Sequence, residues 1–162
     1  MNIDQLREDL KVDEGVKYEI YLDHLGLPTF GIGHLVTESD PEHGQPVGTT
    51  VSEDRVNKQF EADVQLVLQD CVTVFPNFDT LPETAQLVIA NMMFNMGRPR
   101  FSGFKKFIAG VNANDWMEAG RQMEDSRWYR QVTNRAKRLK ARIETLATVS
   151  YTHLTLPTTP YV

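Results

Sequence analysis

The 162-residue chain lacks the features that mark several large classes of protein. Its only cysteine is Cys71, which excludes an intramolecular disulfide and is typical of a protein made in a reducing cytoplasm. It contains no apolar run long enough to cross a membrane, and acidic residues interrupt its N-terminal segment, so we recognise no secretory signal. These absences favour a globular protein made in the cytoplasm.

Motifs for several kinds of chemistry are also missing. There is no glycine-rich phosphate loop, no Cys/His cluster and no Ser/His/Asp order. Four scattered histidines make a weak metal signal, and His34 has no second ligand at helical or hairpin spacing. We therefore expect neither a metal nor a cofactor.

Charge is unevenly distributed along the chain. The formal net charge is −5, yet basic residues crowd one C-terminal segment: Arg127, Arg130, Arg135, Lys137, Arg138, Lys140 and Arg142. Such a segment can attract an anionic polymer, either nucleic acid or a glycan carrying acidic peptides, and a solvated helix face explains it equally well.

The N-terminal third predicts a helix followed by a hairpin. Apolar residues at helical spacing behind the N-cap residue Asn2 predict a helix that ends near residues 13–15. Residues 17–22 and 29–36 are rich in β-formers and are separated by glycine and proline, which predicts two paired strands. Residues 38–50 are expected to be irregular or to supply a third strand.

A long helix should begin at Ser52 and end before Pro76. Its apolar stripe consists of Val56, Phe60, Val64, Val67 and Cys71, which predicts that the thiol is buried and structural. The spacing of Thr80 and Glu83 is that of a capping box, ahead of an almost wholly apolar helix over 85–96 that Gly97 should end. Further helices are predicted around 102–109, 115–123, 126–130 and 133–146.

These elements predict an α+β fold that is mainly helical. We expect an α+β lobe over 1–51, a connecting helix over 52–75, a helical lobe over 76–148 and a cleft between the lobes. Residues 149–162 carry no Asp, Glu, Lys or Arg and resemble the translation of sequencing-adapter DNA, so we expect this tail to be non-native.

Two carboxylates and a hydroxyl flank the predicted hairpin. Glu14 should end the first helix, where the helix dipole favours the protonated carboxyl that a general acid needs. Asp23 enters the turn and Thr29 lies on the returning strand, a layout that suits cleavage of a glycosidic bond. Each also has a structural explanation, since Glu14 could be an ordinary helix-end residue, Asp23 a turn residue and Thr29 a strand former.

Three blocks of sequence identify the family that this chain resembles. They are the segment from Asp13-Glu-Gly to Phe-Gly-Ile-Gly-His34, the segment Asn91-Met-Met-Phe-Asn-Met-Gly97, and the segment from Ser126-Arg-Trp-Tyr to Asn-Arg-Ala-Lys-Arg138. Together they resemble the phage-type lysozymes, the endolysin muramidases, and most closely those of the T-even phages. The resemblance runs from about residue 2 to about residue 145 and implies a lysozyme-like fold.

The resemblance implies hydrolysis of the β-1,4 bond between N-acetylmuramic acid and N-acetylglucosamine in bacterial peptidoglycan, with inversion. It makes Glu14 the general acid, and Asp23 and Thr29 the residues that orient water. We expect no nucleic-acid partner, no stable membrane association and a monomer. The chain would be made in the host cytoplasm and reach the periplasm and cell wall at lysis.

The resemblance also implies supporting residues. Leu35, Phe94 and Gln122 match cleft positions that contact substrate, whereas Phe107 replaces a serine and could instead stack on a sugar. Core packing is favoured over sugar stacking for Trp128.

Four more residues are implied to support the site. His34 should pair with Asp63. Asn91 belongs to the second matching block, and Arg135 should close on Glu14, which would lower the pKa of that carboxyl against the effect of the helix dipole.

The sequence also leaves three other functions open. A non-catalytic glycan-binding module would keep the cleft and lose the acid, and the presence of Glu14, Asp23 and Thr29 argues against it. A wall-puncturing phage tail lysozyme domain would use the same chemistry, although a chain that starts at its own Met1 is expected to stand alone. A lytic transglycosylase would need the glutamate alone.

Overall fold

The computed structural model describes the backbone of residues 1–155 and the side chains of residues 1–147. The predicted non-native tail, 149–162, therefore lies outside the described side chains and partly outside the described backbone. Contacts divide the chain into two compact units: Asn2–Gln69 is one, and Met1 with the chain from Asp70 onward is the other. Helix α2, Glu53–Val74, contains the division.

The first unit begins with helix α1, Ile3–Glu14. The Asn2 side chain accepts a hydrogen bond from the backbone N–H of Gln5, and Gly15 ends the helix with φ at 72°. Both ends agree with the prediction, because each depends on one residue of special local chemistry.

The hairpin region forms a three-stranded antiparallel sheet in the order β1, β2, β3. The strands are Lys17–Leu22, Pro28–Gly31 and His34–Leu35. The single strand predicted over 29–36 is therefore wrong, since the chain reverses after Gly31 and pairs with itself. Gly31 and Gly33 have φ of 66° and 64°, a conformation that glycine adopts readily, and this is what permits the reversal.

The segment after β3 is irregular, which was one of the two alternatives predicted for residues 38–50. It runs through turns and returns alongside β1, where Glu19 and Thr50 form an isolated bridge. The N–H of Ile20 donates to the carbonyl of Thr49, and the N–H of Val51 donates to the carbonyl of Tyr18.

Helix α2 buries the predicted stripe, including Cys71, which is 0% exposed. The hydroxyl of Ser52 accepts from the N–H of Arg55 at 3.1 Å, as expected of an N-cap.

The second unit is helical throughout its described elements. A short 3-10 turn, Phe78–Thr80, precedes a series of helices. They are α3 (Glu83–Met96), α4 (Arg98–Ser102), α5 (Lys105–Asn112), α6 (Trp116–Glu124), α7 (Arg127–Gln131) and α8 (Thr133–Thr155). Helix α3 buries every residue from Ala85 to Met93, so it forms the centre of this unit as predicted.

Three predictions about this unit are wrong. The helix expected around 102–109 begins only at Lys105, as α5, after a separate helix α4 has ended at Ser102, and α8 continues beyond residue 146. The capping box is absent: α3 starts from Pro82 without a side-chain cap, and the Thr80 hydroxyl donates to the Asn77 carbonyl at 2.7 Å. Thr80 therefore belongs to the 3-10 turn and does not cap α3, although the sequence pattern had predicted that it would.

The predicted fold class, α+β and mainly helical with a small antiparallel sheet, is confirmed. Among the described residues, no helix has both the length and the apolar composition needed to cross a membrane.

Candidate active site

Glu14 lies at the last position of α1, and its side chain crosses the turn between β2 and β3. It is partly exposed. A Cβ atom built at residue 33 would stand 2.7 Å from Cδ and Oε1 of Glu14 and 3.0 Å from its Cγ. The carboxyl group therefore occupies space that only glycine leaves open at this turn.

Asp23 follows β1 and holds the turn between β1 and β2. Its Oδ1 accepts from the backbone N–H groups of Leu25 and Leu27, both at 2.9 Å. Its Oδ2 accepts no hydrogen bond from the residues that the structure describes. Asp23 thus stabilises the turn, as an aspartate at such a position commonly does, and the same two hydrogen bonds fix the direction of its carboxylate.

Thr29 is 4% exposed and lies in β2, opposite Tyr21 and Leu35. Its hydroxyl donates to the carbonyl of Leu27 at 2.9 Å. Leu27 therefore binds both side chains, since its N–H donates to Asp23 and its carbonyl accepts from Thr29. Because the Thr29 hydroxyl donates its hydrogen to this carbonyl, its oxygen lone pairs can still accept a hydrogen bond from water.

Tyr21 is a neighbour of both carboxylates that the sequence did not indicate. Burial, followed by the negative charges of Glu14 and Asp23, raises the pKa of its phenol. The ammonium of Lys17 lies 4.2 Å from the centre of the Tyr21 ring, within the range of a cation–π contact. The phenol therefore stays neutral beside the two acids at physiological pH.

His34 is held between two carboxylates. Its Nδ1 lies 2.7 Å from Oδ2 of Asp63, as expected, and its Nε2 lies 2.8 Å from Oδ2 of Asp40, which we did not predict. Burial by itself lowers the pKa of His34, but the hydrogen bonds and charges of the two aspartates outweigh it and raise that pKa. Since a neutral imidazole donates from one nitrogen only, this geometry favours the imidazolium.

The surrounding bonds close a ring. Arg55 donates to both carboxylate oxygens of Glu42, at 2.9 and 3.1 Å, and its other contacts reach Asp40 at 3.5 Å and Gln59 at 2.8 Å. Gln59 in turn donates to Oδ1 of Asp63 at 2.8 Å. We refer to these six residues as the His34 network: His34, Asp40, Glu42, Arg55, Gln59 and Asp63.

Three residues of the His34 network share a spacing that is visible in the sequence. Arg55, Gln59 and Asp63 follow one another at intervals of four, so they share one face of α2. Nothing local pointed to Asp40 or Glu42, which lie in the irregular segment. The Arg55 hydrogen bond lowers the pKa of Glu42 despite partial burial, so both remain charged.

In the second unit, Arg135 binds Asn91. The Nε of Arg135 donates to Oδ1 of Asn91 at 2.9 Å, and both side chains are buried, at 8% and 0% exposure. The structure brings these two predicted residues together on α8 and α3. The contact of Arg135 with Glu14 stays a prediction.

The predicted substrate-contact residues are at least partly accessible. Leu35 is 47% exposed, and Phe94 and Gln122 are partly exposed. The side-chain amide of Gln122 donates to Oε1 of Glu118 at 2.7 Å. An open pocket of about 380 Å³ in the second unit is lined by Gly103, Phe104, Lys105, Lys106, Phe107, Gln122, Asp125 and Ser126.

Two aromatic side chains belong to the core of the second unit. Phe107 is 1% exposed and packs edge-on against Phe101 and Phe104, so the sugar stacking considered for it is unsupported. Trp128 is 3% exposed and donates from Nε1 to Asn95 at 2.7 Å, which confirms the predicted core position.

Comparison with known proteins identifies the family. The model of the phage lysozyme family matches residues 11–145. The chain is 30% identical to probable T4-type lysozyme 1 of Dictyostelium discoideum over 165 residues, covering 88% of this chain and 95% of that protein.

Two phage proteins are also similar. The pre-baseplate central spike protein Gp5 of Enterobacteria phage T4 is 30% identical over 83% of this chain, which corresponds to 26% of the spike protein. The endolysin of Salmonella phage P22 is 27% identical over 58% of this chain and 62% of its own length. Since the family model spans most of the chain, this protein belongs to the phage lysozyme family and is a glycoside hydrolase of the lysozyme type.

Proposed function

We propose that this lysozyme hydrolyses the β-1,4 bond between N-acetylmuramic acid and N-acetylglucosamine in peptidoglycan, with Glu14 as general acid and Asp23 and Thr29 orienting water. The observation that carries the proposal is the shared anchor at Leu27. Its peptide groups hold the Asp23 carboxylate and the Thr29 hydroxyl in one tight turn, in the same unit as Glu14.

Glu14 supplies the proton for the leaving oxygen. A glycosidic oxygen is a poor leaving group unless a carboxylic acid protonates it as the bond breaks. Glu14 lies at the C-terminal end of α1, and its carboxyl group lies over the turn at Gly33.

Asp23 and Thr29 prepare the nucleophile. Oδ2 of Asp23 and the lone pairs of the Thr29 hydroxyl are both acceptors, so one water can donate its two hydrogens to them and turn a lone pair toward the anomeric carbon. The negative charge of Asp23 also stabilises the positive charge that develops on the sugar. As this water attacks, it gives a proton to the Asp23 carboxylate, and attack from the side opposite the leaving oxygen inverts the anomeric carbon.

The remaining predicted residues bind and support. Leu35 pairs with Thr29 across the sheet, so its exposed side chain is available to the sugar beside the water site. Phe94 and Gln122 are further residues that bind the glycan, and Gln122 lines the open pocket of the second unit. The substrate is wall peptidoglycan, reached from the host cytoplasm at lysis, and the enzyme acts without a cofactor or metal.

The test is clearing of outer-membrane-permeabilised Gram-negative cells by wild type, Glu14→Gln and Glu8→Gln. Glu8 is an exposed glutamate on the same helix and serves as the matched control. We expect Glu14→Gln to lose on the order of 10²-fold or more in rate, as removal of a general acid does, and Glu8→Gln to clear normally. Equal folding is checked by circular dichroism.

Near-normal clearing by Glu14→Gln would refute the proposal. Binding of wild type to purified walls without clearing would favour a glycan-binding module. Digestion in ¹⁸O-labelled water separates hydrolysis from transglycosylation, because only hydrolysis places solvent oxygen on the new reducing end.

A further inference from the structure

We infer that Gly33 is a positioning residue for Glu14, an inference that rests on the proposed function of that glutamate. Gly33 has no side chain to contribute, and its role comes from the space it leaves. A Cβ at this position would meet Cδ and Oε1 of Glu14 at 2.7 Å, well inside the 3.5–4.0 Å or so at which carbon atoms pack.

The turn around Gly33 is held on both sides, so it cannot easily move away. Ile32 is 3% exposed and packs in the core. His34 is fixed by carboxylates at both ring nitrogens, Asp63 at 2.7 Å and Asp40 at 2.8 Å. A side chain at position 33 would therefore displace the glutamate and leave the turn where it is.

The displaced group is the far end of a flexible side chain. Glu14 can rotate away from a new methyl group, because the atoms that would clash belong to a flexible side chain. Its carboxyl would then leave the place from which it reaches the glycosidic oxygen. A misplacement of about 1 Å in a reacting group can cost on the order of 10²-fold in rate, so the loss falls on catalysis more than on stability.

A second glycine provides a matched control. Gly44 has φ of 82°, close in sign and size to the 64° of Gly33, and a Cβ built there meets nothing within 4 Å. Gly33→Ala and Gly44→Ala therefore carry similar backbone strain, and only the first collides with Glu14. Both lie in the first unit.

The experiment measures kcat, KM and the urea midpoint for wild type, Gly33→Ala and Gly44→Ala on soluble peptidoglycan fragments. We expect both variants to shift the urea midpoint by similar amounts. Gly33→Ala alone should lose on the order of 10²-fold in kcat with KM little changed, the pattern of a lost transition-state interaction.

A double-mutant cycle separates positioning from general damage. Glu14→Gln keeps the length of the side chain and removes the acid, so no general acid is left for a methyl at position 33 to misplace. Adding Gly33→Ala to Glu14→Gln should therefore cost much less in kcat than adding it to wild type, a non-additive pair. An equal cost in both backgrounds, or an equal kcat loss in Gly44→Ala, would overturn the inference.

The two proposals fail in different ways. Full activity of Glu14→Gln would refute the assignment of the acid and with it this inference. Loss of activity in Glu14→Gln together with an unchanged kcat in Gly33→Ala would overturn the positioning role of Gly33 alone.

Discussion

Replacing His34 with asparagine should destabilise the protein most at mildly acidic pH and less as the solution becomes basic. His34 joins β3 to α2 through Asp63 and to the irregular segment through Asp40. Asparagine has a similar shape near the backbone but cannot carry a charge or bridge the two carboxylates. The substitution would leave two partly buried aspartates without their shared cation.

The size of the effect follows from these two bonds. Each is short, at 2.7 and 2.8 Å, and the side chains involved are only 11–18% exposed. A hydrogen bond to a charged group contributes about 1.5–3 kcal/mol, and breaking a buried pair by removing one partner costs about 3–5 kcal/mol. We expect the free energy of unfolding to fall by about 3–5 kcal/mol at a pH near 5.5, which lies below the unfolded histidine pKa of about 6.5.

The pH dependence has a definite sign. The pKa of His34 is raised in the folded protein. Its contribution to the free energy of unfolding is therefore complete below the unfolded pKa of about 6.5 and disappears as the pH rises through the folded pKa. The pKa of Asp40 is lowered, since the Thr37 amide and His34 outweigh its burial. Its contribution is complete above about 3.9, the unfolded value, and is lost as the pH falls through the folded one.

Urea unfolding of wild type, His34→Asn and His43→Asn, followed by circular dichroism at several pH values, measures this directly. His43 is an exposed histidine of the same unit, so its substitution should change the free energy of unfolding by no more than about 0.5 kcal/mol. The difference between wild type and His34→Asn should shrink as the pH rises through the folded pKa of His34, to about 1.5–3 kcal/mol once the neutral imidazole donates one hydrogen bond to a carboxylate. A difference that stays constant between acidic and basic pH would refute the reasoning.

Two further predictions concern the helices. Cys71 is fully buried, and this burial, together with the charge of Asp70, raises the pKa of its thiol to about 12. The thiol should therefore resist a thiol reagent at pH 8 in the folded protein and react in urea. Rapid labelling of the native protein would contradict this prediction. Ser52→Ala should cost about 1 kcal/mol in the free energy of unfolding as loss of an N-cap, whereas Thr80→Ala should stay within about 0.5 kcal/mol. Equal costs in urea unfolding would contradict the assignment of Thr80 to the 3-10 turn.

The helix ends were predictable wherever one residue decides the local backbone. Asn2 accepts from an N–H three residues on, and Gly15 and Gly97 take the positive φ with which α1 and α3 end. The buried stripe of α2 followed in the same way from its spacing alone. The pattern at Thr80 failed because two local motifs competed for one hydroxyl, and the sequence does not rank them.

In the candidate site, too, some features could be predicted from the sequence and others could not. Glu14, Asp23 and Thr29 stand out because residue type, order and flanking glycines are visible in the chain, and the family match supports the chemistry. Their surroundings did not stand out. Tyr21 beside the two acids depends on the pairing register of β1 and β2.

By itself the sequence determined the fold class, the ends of most helices and the residue types available for acid catalysis, since these depend on composition and on spacing within one element. Only the tertiary structure decided that Asp40 joins Asp63 on His34, and that the carboxyl of Glu14 lies over Gly33. Those arrangements join residues distant along the chain. Their energies depend on separations of a few tenths of an ångström, which packing sets and local propensity does not.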